Sequence, residues 1–250
     1  MIKKLIINAD DFGLSIGNTI GIIYGHTHGI ITSTSCMMNM PYAEFALKEA
    51  EKYPNLGVGV HLNITVGKAL NKVKTSFTDE QGYFLNRKLY PDHKPHGNYD
   101  ELYEEWKAQI EKYISLTGHK PTHLDSHHFV HFYPWHIDVI TQLAKEYDLP
   151  IRQREQILYN YEYAFVNEEM YGFENINLQK VKQIISDEKE IIELMCHPAF
   201  IDQQLYDSTS YCLERMKELD LLCQNSLKEF IDLNNIKLIN YGNLGRINNE

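Results

Sequence analysis

The chain has 250 residues, of which 43% are hydrophobic and 23% charged, and its formal net charge is −10. This length suffices for one well-packed domain, and the composition is that of an ordinary globular protein. The acidic balance, together with the absence of any run of lysines and arginines, argues against partners such as nucleic acid or an anionic membrane.

The N-terminal segment MIKKLIINADDF has two lysines and then a short apolar run that stops at Asn8. A signal peptide needs a longer apolar core and a small-residue cleavage site, so we interpret this segment as a first strand. No stretch approaches the 18 apolar residues of a transmembrane helix. The four cysteines lack CxxC spacing, which argues against disulfides and a cysteine zinc site and fits a reducing cytoplasm.

Short apolar strands alternate with amphipathic helices along the chain. The predicted elements, in chain order, are strand 3–8, helix 16–28, strand 31–38, helix 41–53, strand 56–64, helix 99–117, strand 121–125, helix 134–147, strand 149–152, helix 177–188, strand 190–196, helix 208–234 and strand 236–240. Residues 66–98 break this rhythm with several prolines and glycines. We interpret them as an insertion, a lid or a subunit contact, within a single domain that spans residues 1–250.

The alternation of strands and helices predicts a parallel sheet, which leaves a choice between a doubly wound sheet and a barrel. Polar clusters follow four of the strands: ADDFG, HLN, DSHH and CHPAF. Barrel enzymes gather their chemistry at the carboxyl ends of strands, whereas the outer strands of an open sheet lie too far apart to share one site. We therefore expect an α/β fold of the TIM-like (β/α) barrel type.

The motif ADDFGLS places two adjacent carboxylates, Asp10 and Asp11, at the end of the first strand. Neighbours on a strand point to opposite sides, but a turn allows both side chains to face one centre. Two buried like charges are costly unless a cation or a proton balances them. The alternative is a solvated turn in which Asp11 or Ser15 caps the following helix.

Histidines are clustered in two further motifs. GVHLNIT carries His61, which taken alone is more often a core histidine with a satisfied hydrogen bond. In HLDSHH, an extended chain puts His123, Asp125 and His127 on one face and points His128 away, toward second-shell or substrate contacts. A metal-bound histidine normally gives its other ring N–H to a carboxylate, which Asp125 can supply.

The motif MCHPAF ends an apolar strand with His197, and the proline after it keeps that histidine extended. Such a histidine suits acid–base work, although a simple turn histidine is the alternative. Taken together, one carboxylate and two histidines from three strand ends can hold a divalent metal and leave coordination positions open. A second carboxylate as base and a distant histidine as acid complete the pattern of a metal hydrolase.

The segments NADDFGLS, GVHLNIT, KPTHLDSHH and ELMCHPAF resemble the motifs of the YdjC-like carbohydrate deacetylase family, in order, and the resemblance runs from residue 3 to about 230. That family is similar in turn to the NodB-type polysaccharide deacetylases, which have a deformed β/α barrel. The resemblance implies a cytoplasmic homodimer that removes acetyl groups from N-acetylated sugars such as chitooligosaccharides.

Carried over motif by motif, the resemblance implies that Asp11, His61 and His127 bind one divalent metal cation. It further implies that Asp10 is the general base and that His197 is the acid or a transition-state stabiliser. Two imidazoles with one carboxylate suit zinc, iron, cobalt or nickel better than magnesium, which prefers oxygen ligands. Family members are commonly described with magnesium, so Mg²⁺ and Zn²⁺ both stay open.

Four more residues are candidates to contact the substrate or to support the metal ligands. Asp125 and His128 belong to the histidine motif, and Arg152 in PIRQR either orients the base or grips the substrate. Family members often have HHHVH where this chain has HHFVH, so Phe129 replaces a histidine. Phe129 is a poor ligand but a good wall for a sugar ring. The divergent stretches 66–98 and 153–175 are expected to shape specificity.

Two other functions stay open from the residues alone. One is a metal phosphoesterase or a glycosidase that uses Asp10 and Asp11, although a glycosidase needs carboxyl groups roughly 5–10 Å apart. The other is a sugar- or metal-binding barrel without turnover. The product distinguishes the functions. A deacetylase releases free acetate, a phosphoesterase inorganic phosphate and a glycosidase a shorter sugar, whereas a binding barrel yields no product.

Overall fold

The computed structural model of the chain describes residues 3–152, 162–164, 178–186 and 191–244. The strands in these ranges are β1 Lys4–Phe12, β2 Ser33–Cys36, β3 Gly57–Leu62, β4 Leu124–Ser126, β5 Glu162–Ala164, β6 Ile191–Cys196 and β7 Lys237–Leu238. The α-helices are α1 Ile16–His28, α2 Ala43–Ala50, α3 Tyr99–Thr117, α4 Ile137–Tyr147, α5 Leu178–Ile185, α6 Gln203–Ser208, α7 Leu213–Leu222 and α8 Asn225–Leu233.

The strands form one parallel sheet in the order β4-β3-β2-β1-β6-β5, and β7 pairs with the first residues of β1. A parallel bridge between Leu124 and Ile151 extends the sheet beyond β4. Strands β1 to β4 lie side by side in sequence order, β5 pairs with β6, and β6 returns to β1. For the described strands, this is the cyclic order of a barrel, with Ile151 and β5 at its two ends. The expected parallel α/β fold is confirmed, and the order lacks the reversal of a doubly wound sheet.

Apolar side chains of strands and helices in the described part of the chain form one large core cluster and two smaller ones. Helix α3 shows why the sequence folds this way, because Leu102, Trp106, Ile110 and Tyr113 recur on one face and are buried. Asn98 caps this helix by accepting from the backbone N–H groups of Asp100 and Glu101, and the helix ends at Gly118, whose φ is 75°. Among the described residues, no helix has the length and apolar character required to cross a membrane.

Strand β1 is longer than predicted and contains an irregularity. We expected a strand over 3–8, but β1 continues to Phe12, with a shift in its register against β2 between Ala9 and Phe12. Asp11 lies at this shift with a φ of 68°, in the left-handed region that aspartate tolerates better than most residues. The extra residue breaks the strand alternation, which allows Asp10 and Asp11 both to turn inward.

Several predicted boundaries were wrong. The predicted strand 149–152 is reduced to the bridge at Ile151, and a 3₁₀ segment, His127–Phe132, precedes α4. The predicted helix 208–234 is interrupted: it contains α7 and α8, and its first residue, Ser208, is the last residue of α6. Thr209 is extended after α6, and Gln224 is extended between α7 and α8. Neither break contains glycine or proline, so the sequence lacks the usual signal for it.

The insertion at 66–98 is anchored to the domain. It contains short 3₁₀ turns, Arg87–Leu89 and Pro91–His93, and two antiparallel bridges. The buried carboxylate of Glu105 on α3 accepts hydrogen bonds from the backbone N–H groups of Leu70 and Asn71. The other divergent stretch, 153–175, lies largely outside the described residues.

Candidate metal and catalytic site

The candidate residues meet at the carboxyl ends of the parallel strands. His61 on β3 is the register partner of Asp125 on β4. Ala9 on β1 is the partner of Cys196 on β6, so the next residues, Asp10 and His197, follow neighbouring strand ends. The close fit of β3 and β4 depends on Gly59, because a Cβ there would lie 2.4 Å from the ring of His123.

Asp11, His61 and His127 converge on one point. Oδ1 of Asp11 lies 3.3 Å from Nε2 of His61 and 3.0 Å from Nδ1 of His127. One potential ligand atom from each residue lies within 4.8 Å of the others. Asp11 and His61 are buried, and His127 is half-buried at the edge of the site.

The ring of His61 is held from behind by Asp125. Nδ1 of His61 lies 2.8 Å from Oδ1 of Asp125, so its Nε2 faces Asp11. The hydroxyl of Ser35 on β2 donates to Oδ2 of Asp125 at 2.8 Å and fixes that carboxylate. A carboxylate behind an imidazole is the usual arrangement for a histidine metal ligand, because it sets the tautomer and the ring orientation.

Asp10 is held by a buried arginine. Arg152 donates from Nη1 and Nη2 to the two oxygens of Asp10, both at 2.6 Å. The same guanidinium contacts Oδ2 of Asp125 at 2.8 Å and donates from Nε to Oε1 of Glu193 at 3.0 Å. Because Arg152 is fully buried and engaged with three carboxylates, its contacts match a role in orienting Asp10 rather than one in gripping substrate.

Glu193, on β6, continues this network away from the site. Its Oε2 accepts a hydrogen bond from the hydroxyl of Tyr241, whose ring stacks on His123 with 3.9 Å between centroids. Burial raises the pKa of the Glu193 carboxyl to about 7, although Arg152 and Tyr241 oppose that shift. His123 therefore lies in this supporting network and outside the converging triad, and burial lowers its pKa to about 3.

Asp11 has an arginine of its own. Nη2 of Arg215, on α7, donates to Oδ2 of Asp11 at 2.7 Å. Burial acts to raise the pKa of Asp11, but Arg215 and the rings of His127 and His61 hold it well below its ordinary value. Each of the two adjacent aspartates is thus paired with a different arginine from a distant part of the chain.

His197 follows the end of β6, near enough to Asp11 and Asp10 for their charges to act on its ring, and is supported by Glu218 of α7. Its backbone N–H donates to Oε2 of Glu218, and its Nδ1 lies 4.0 Å from Oε1 of the same carboxylate. The Tyr211 hydroxyl also donates to Oε1, at 2.8 Å. Burial lowers the pKa of His197 to about 4. The charge of Asp11 opposes this shift, and the charge of Arg215 adds to it. The neutral ring therefore predominates at neutral pH.

His128 and Phe129 form part of the rim. Both have positive φ values, 56° and 54°, which turn the chain sharply after His127. Nδ1 of His128 lies 2.9 Å from the hydroxyl of Thr65, and Phe129 stacks on Phe132 with 5.9 Å between centroids. His128 is exposed and Phe129 is half-buried.

The donor set fits a divalent cation. Oδ1 of Asp11 is buried and has no well-aligned hydrogen-bond partner in the described part of the chain, although two imidazole nitrogens lie close to it. Without metal, burial opposes protonation of His61, but Asp125 and Asp10 raise its pKa to about 10. The site therefore attracts positive charge to the position that a cation would share, and its two nitrogens and one oxygen suit a transition metal.

Sequence reasoning missed several residues that hold the site: Ser35, Glu193, Arg215, Glu218 and Tyr241. A signal existed for two of them. Arg215 and Glu218 occupy the helical face that also carries Leu219 and Leu222, and all four are buried. A charged residue on the apolar face of a helix usually has a buried partner.

A family model described as YdjC-like protein matches residues 4–233. The chain is 37% identical to a carbohydrate deacetylase of Clostridium beijerinckii, over 95% of this chain and 98% of that protein. It is also 37% identical to a chitooligosaccharide deacetylase of Yersinia enterocolitica, over 96% and 99% of the two chains.

Solved structures show the same fold. A crystal structure from Enterococcus faecalis, of a protein provisionally named for cellobiose-phosphate cleavage, has a TM-score of 0.82 and 34% identity, covering 98% of this chain and 100% of that one. A peptidoglycan deacetylase from Bacillus subtilis has a TM-score of 0.51 at 11% identity, covering 97% and 90%. The second likeness concerns the fold alone, and it confirms the expected similarity to polysaccharide deacetylases in architecture.

Proposed function

This chain belongs to the YdjC-like protein family, and we propose that it is a metal-dependent carbohydrate deacetylase that hydrolyses the N-acetyl group of acetylated sugars such as chitooligosaccharides. The names of the relatives from Clostridium beijerinckii and Yersinia enterocolitica support the reaction and the substrate class. The reaction adds water across the acetyl amide and releases acetate and a free amine on the sugar.

The observation that carries this proposal is the convergence of Asp11, His61 and His127, with Asp10 next to Asp11 in the chain. Asp11, His61 and His127 would hold one divalent cation. When bound, that cation supplies a Lewis acid that polarises the acetyl carbonyl and increases the acidity of water. The ligand chemistry favours Zn²⁺ or another transition metal over Mg²⁺.

Asp10 acts as the general base. Its carboxylate is fixed by Arg152 and by Asn8, whose side-chain N–H donates to Oδ1 at 2.9 Å. Fixing both oxygens restricts the side chain to one orientation, which is what proton removal from a positioned water requires. The two hydrogen bonds from Arg152 leave the carboxylate of Asp10 paired with a fixed guanidinium charge.

His197 stabilises the transition state. The lowered pKa favours the neutral ring, which remains able to donate an N–H hydrogen bond to the oxygen that gains negative charge. Glu218 holds the backbone and faces Nδ1, which directs the opposite ring nitrogen away from α7. Of the two roles that the family resemblance allows, acid or stabiliser, this electrostatic setting supports the stabiliser.

We also propose the organisation of the protein from the family resemblance. The chain forms one catalytic domain over residues 1–250, it assembles as a homodimer and it works in the cytoplasm. The rim residues His128 and Phe129 and the insertion 66–98 contact the sugar or shape the pocket. Size-exclusion chromatography with light scattering and cell fractionation test the assembly and the location.

The function is tested by incubating metal-stripped protein with a panel of N-acetylated mono- and oligosaccharides, with Zn²⁺, Co²⁺ or Mg²⁺ added back singly. We expect acetate in amounts equal to the new sugar amines, and only with metal. Phosphate release from a phosphorylated sugar, or a shortened sugar with its acetyl groups intact, contradicts the proposal. Tight sugar binding without any product identifies a binding protein instead.

A further inference from the structure

Arg215 occupies an unusual place for a cation, since it lies against a residue that we propose as a metal ligand. Its side chain is buried, Nη2 donates to Oδ2 of Asp11 at 2.7 Å, and Nε donates to the backbone carbonyl of Tyr211 at 2.9 Å. The guanidinium also lies 5.7 Å from the centre of the Tyr211 ring. These contacts give the cation a fixed position next to Asp11.

The contact divides the two oxygens of Asp11 between two partners. Oδ2 belongs to Arg215, and Oδ1 faces Nε2 of His61 and Nδ1 of His127. Asp11 therefore offers one oxygen to the site, and the second oxygen is not free to join it. Fewer protein ligands leave more positions for water and substrate, which is the mark of a catalytic site.

The charge of Arg215 acts in the same direction. A fixed cation that already neutralises Asp11 repels a second cation bound at Oδ1 and withdraws electron density from the carboxylate. The other arginine–aspartate pair differs in this respect, because Arg152 holds Asp10, which is not one of the proposed metal ligands. The cost of holding Asp11 charged in a buried site is therefore met by Arg215 even before any metal arrives.

We propose that Arg215 is a positioning residue that restricts Asp11 to one-oxygen coordination and limits the affinity of the site for divalent metal. This inference rests on the proposed metal site of Asp11, His61 and His127. It predicts that the wild-type protein holds its metal less tightly than its ligand set allows and keeps the metal a stronger Lewis acid in return.

The test compares Arg215→Met, which removes the charge but keeps the length, with Arg215→Lys, which keeps the charge. The dissociation constant for Zn²⁺ is measured by competition with a chromophoric chelator, and the Co²⁺ absorption spectrum reports the coordination number. We expect Arg215→Met to bind Zn²⁺ about tenfold more tightly, with weaker Co²⁺ bands from an added ligand oxygen, and to have a lower kcat. Arg215→Lys is expected to stay within about threefold of the wild-type affinity.

Lys217→Met on the exposed face of α7 is the matched control, with unchanged Zn²⁺ affinity and acetate release. If Arg215→Met does not fold without metal, Arg215→Gln serves as the second neutral variant, with the same direction expected. Zn²⁺ affinity equal to or weaker than wild type in the folded neutral variant overturns the inference and leaves the proposed function intact. Failure of the wild-type protein to bind Zn²⁺ or Co²⁺ removes the proposed metal site itself.

Discussion

His61 and Asp125 are register partners on neighbouring parallel strands, and their side chains meet with 2.8 Å between Nδ1 and Oδ1. The pairing is enforced by the sheet itself, because a shift of either strand by one residue turns that strand's side chain to the opposite face and separates the pair. The strand register therefore sets which nitrogen of His61 is turned toward Asp11.

Asp125→Asn is expected to weaken Zn²⁺ binding about 10- to 100-fold without unfolding the protein. The amide lacks the negative charge that holds the ring of His61 and its proton in place. Chelator competition measures the affinity, and Asp138→Asn on the exposed face of α4 is the matched control. An unchanged Zn²⁺ affinity in Asp125→Asn means that the contact is structural only.

Asp11→Asn and His127→Ala are each expected to abolish both metal uptake and acetate release, because each removes one of three proposed ligands. Asparagine tolerates the positive φ of position 11, so the variant keeps the local backbone. Metal content after dialysis and acetate release are measured on the same samples, with the exposed His119→Ala as control. Full activity in a metal-free Asp11→Asn protein rules the mechanism out.

The strands and the strand-end motifs were predictable because their signals are local. Apolar alternation and the positions of His61, Asp125 and His197 predict parallel strands with chemistry at one edge, and the structure has both features. The arginine partners had weaker signals. Arg152 was a candidate to orient the base or grip the substrate, and Arg215 was missed altogether. The two reach Asp10 and Asp11 across 142 and 204 residues of chain. Their pairing depends on how the sheet and α7 pack, which no local pattern encodes.

The same limit explains the wrong helix at 208–234. Most of its residues from 213 onward have helical propensity, but α7 must turn Arg215 and Glu218 to the site while α8 buries Leu227 and Ile231 in the core. One straight helix does not present both faces correctly, so tertiary packing breaks it. The left-handed Asp11 is a comparable case, because propensity alone disfavours the conformation that brings two aspartates together.

Removal of His197 is expected to separate catalysis from metal binding. His197→Ala lowers kcat about 10²- to 10³-fold, as expected for loss of one donor to a developing oxyanion, and leaves Zn²⁺ affinity unchanged. His197→Gln retains an N–H donor and recovers part of the rate. Because burial lowers the pKa of His197 to about 4, its protonation leaves kcat unaffected between pH 6 and 8. A kcat that changes with a pKa near 6.5, and loses that dependence in His197→Gln, contradicts the neutral role.

Glu193 should make the folded protein sensitive to pH. Burial raises the pKa of its carboxyl from 4.5 to about 7, so the folded state keeps a proton that the unfolded state loses. The contribution of the protonated Glu193 carboxyl to the free energy of unfolding is fully present below pH 4.5. It decreases as the pH rises toward 7, and above pH 7 it no longer changes. Glu193→Gln lacks that titration.

Chemical denaturation of metal-free protein at several pH values measures the effect. We expect the free energy of unfolding of wild type, relative to Glu193→Gln, to fall by about 1–3 kcal/mol between pH 5 and 8. Glu218, whose pKa is also raised to about 7 by burial, is present in both proteins and cancels in the difference. The exposed Glu229→Gln is expected to parallel wild type, and a parallel curve for Glu193→Gln contradicts the assignment.

Phe129 combines a left-handed backbone with a half-buried aromatic ring, and two substitutions separate these properties. Its φ of 54° costs a non-glycine residue about 1–2 kcal/mol, a cost that asparagine bears more easily than alanine. Both Phe129→Asn and Phe129→Ala lose the ring. We therefore expect Phe129→Asn to exceed Phe129→Ala in stability by about 1 kcal/mol, while KM for the acetylated sugar rises about three- to tenfold equally in both variants.

Phe129→Tyr, which keeps an aromatic face, is expected to keep the wild-type KM. An unchanged KM in both truncated variants shows that the ring does not contact substrate, and equal stabilities show that the left-handed turn is not strained at this position.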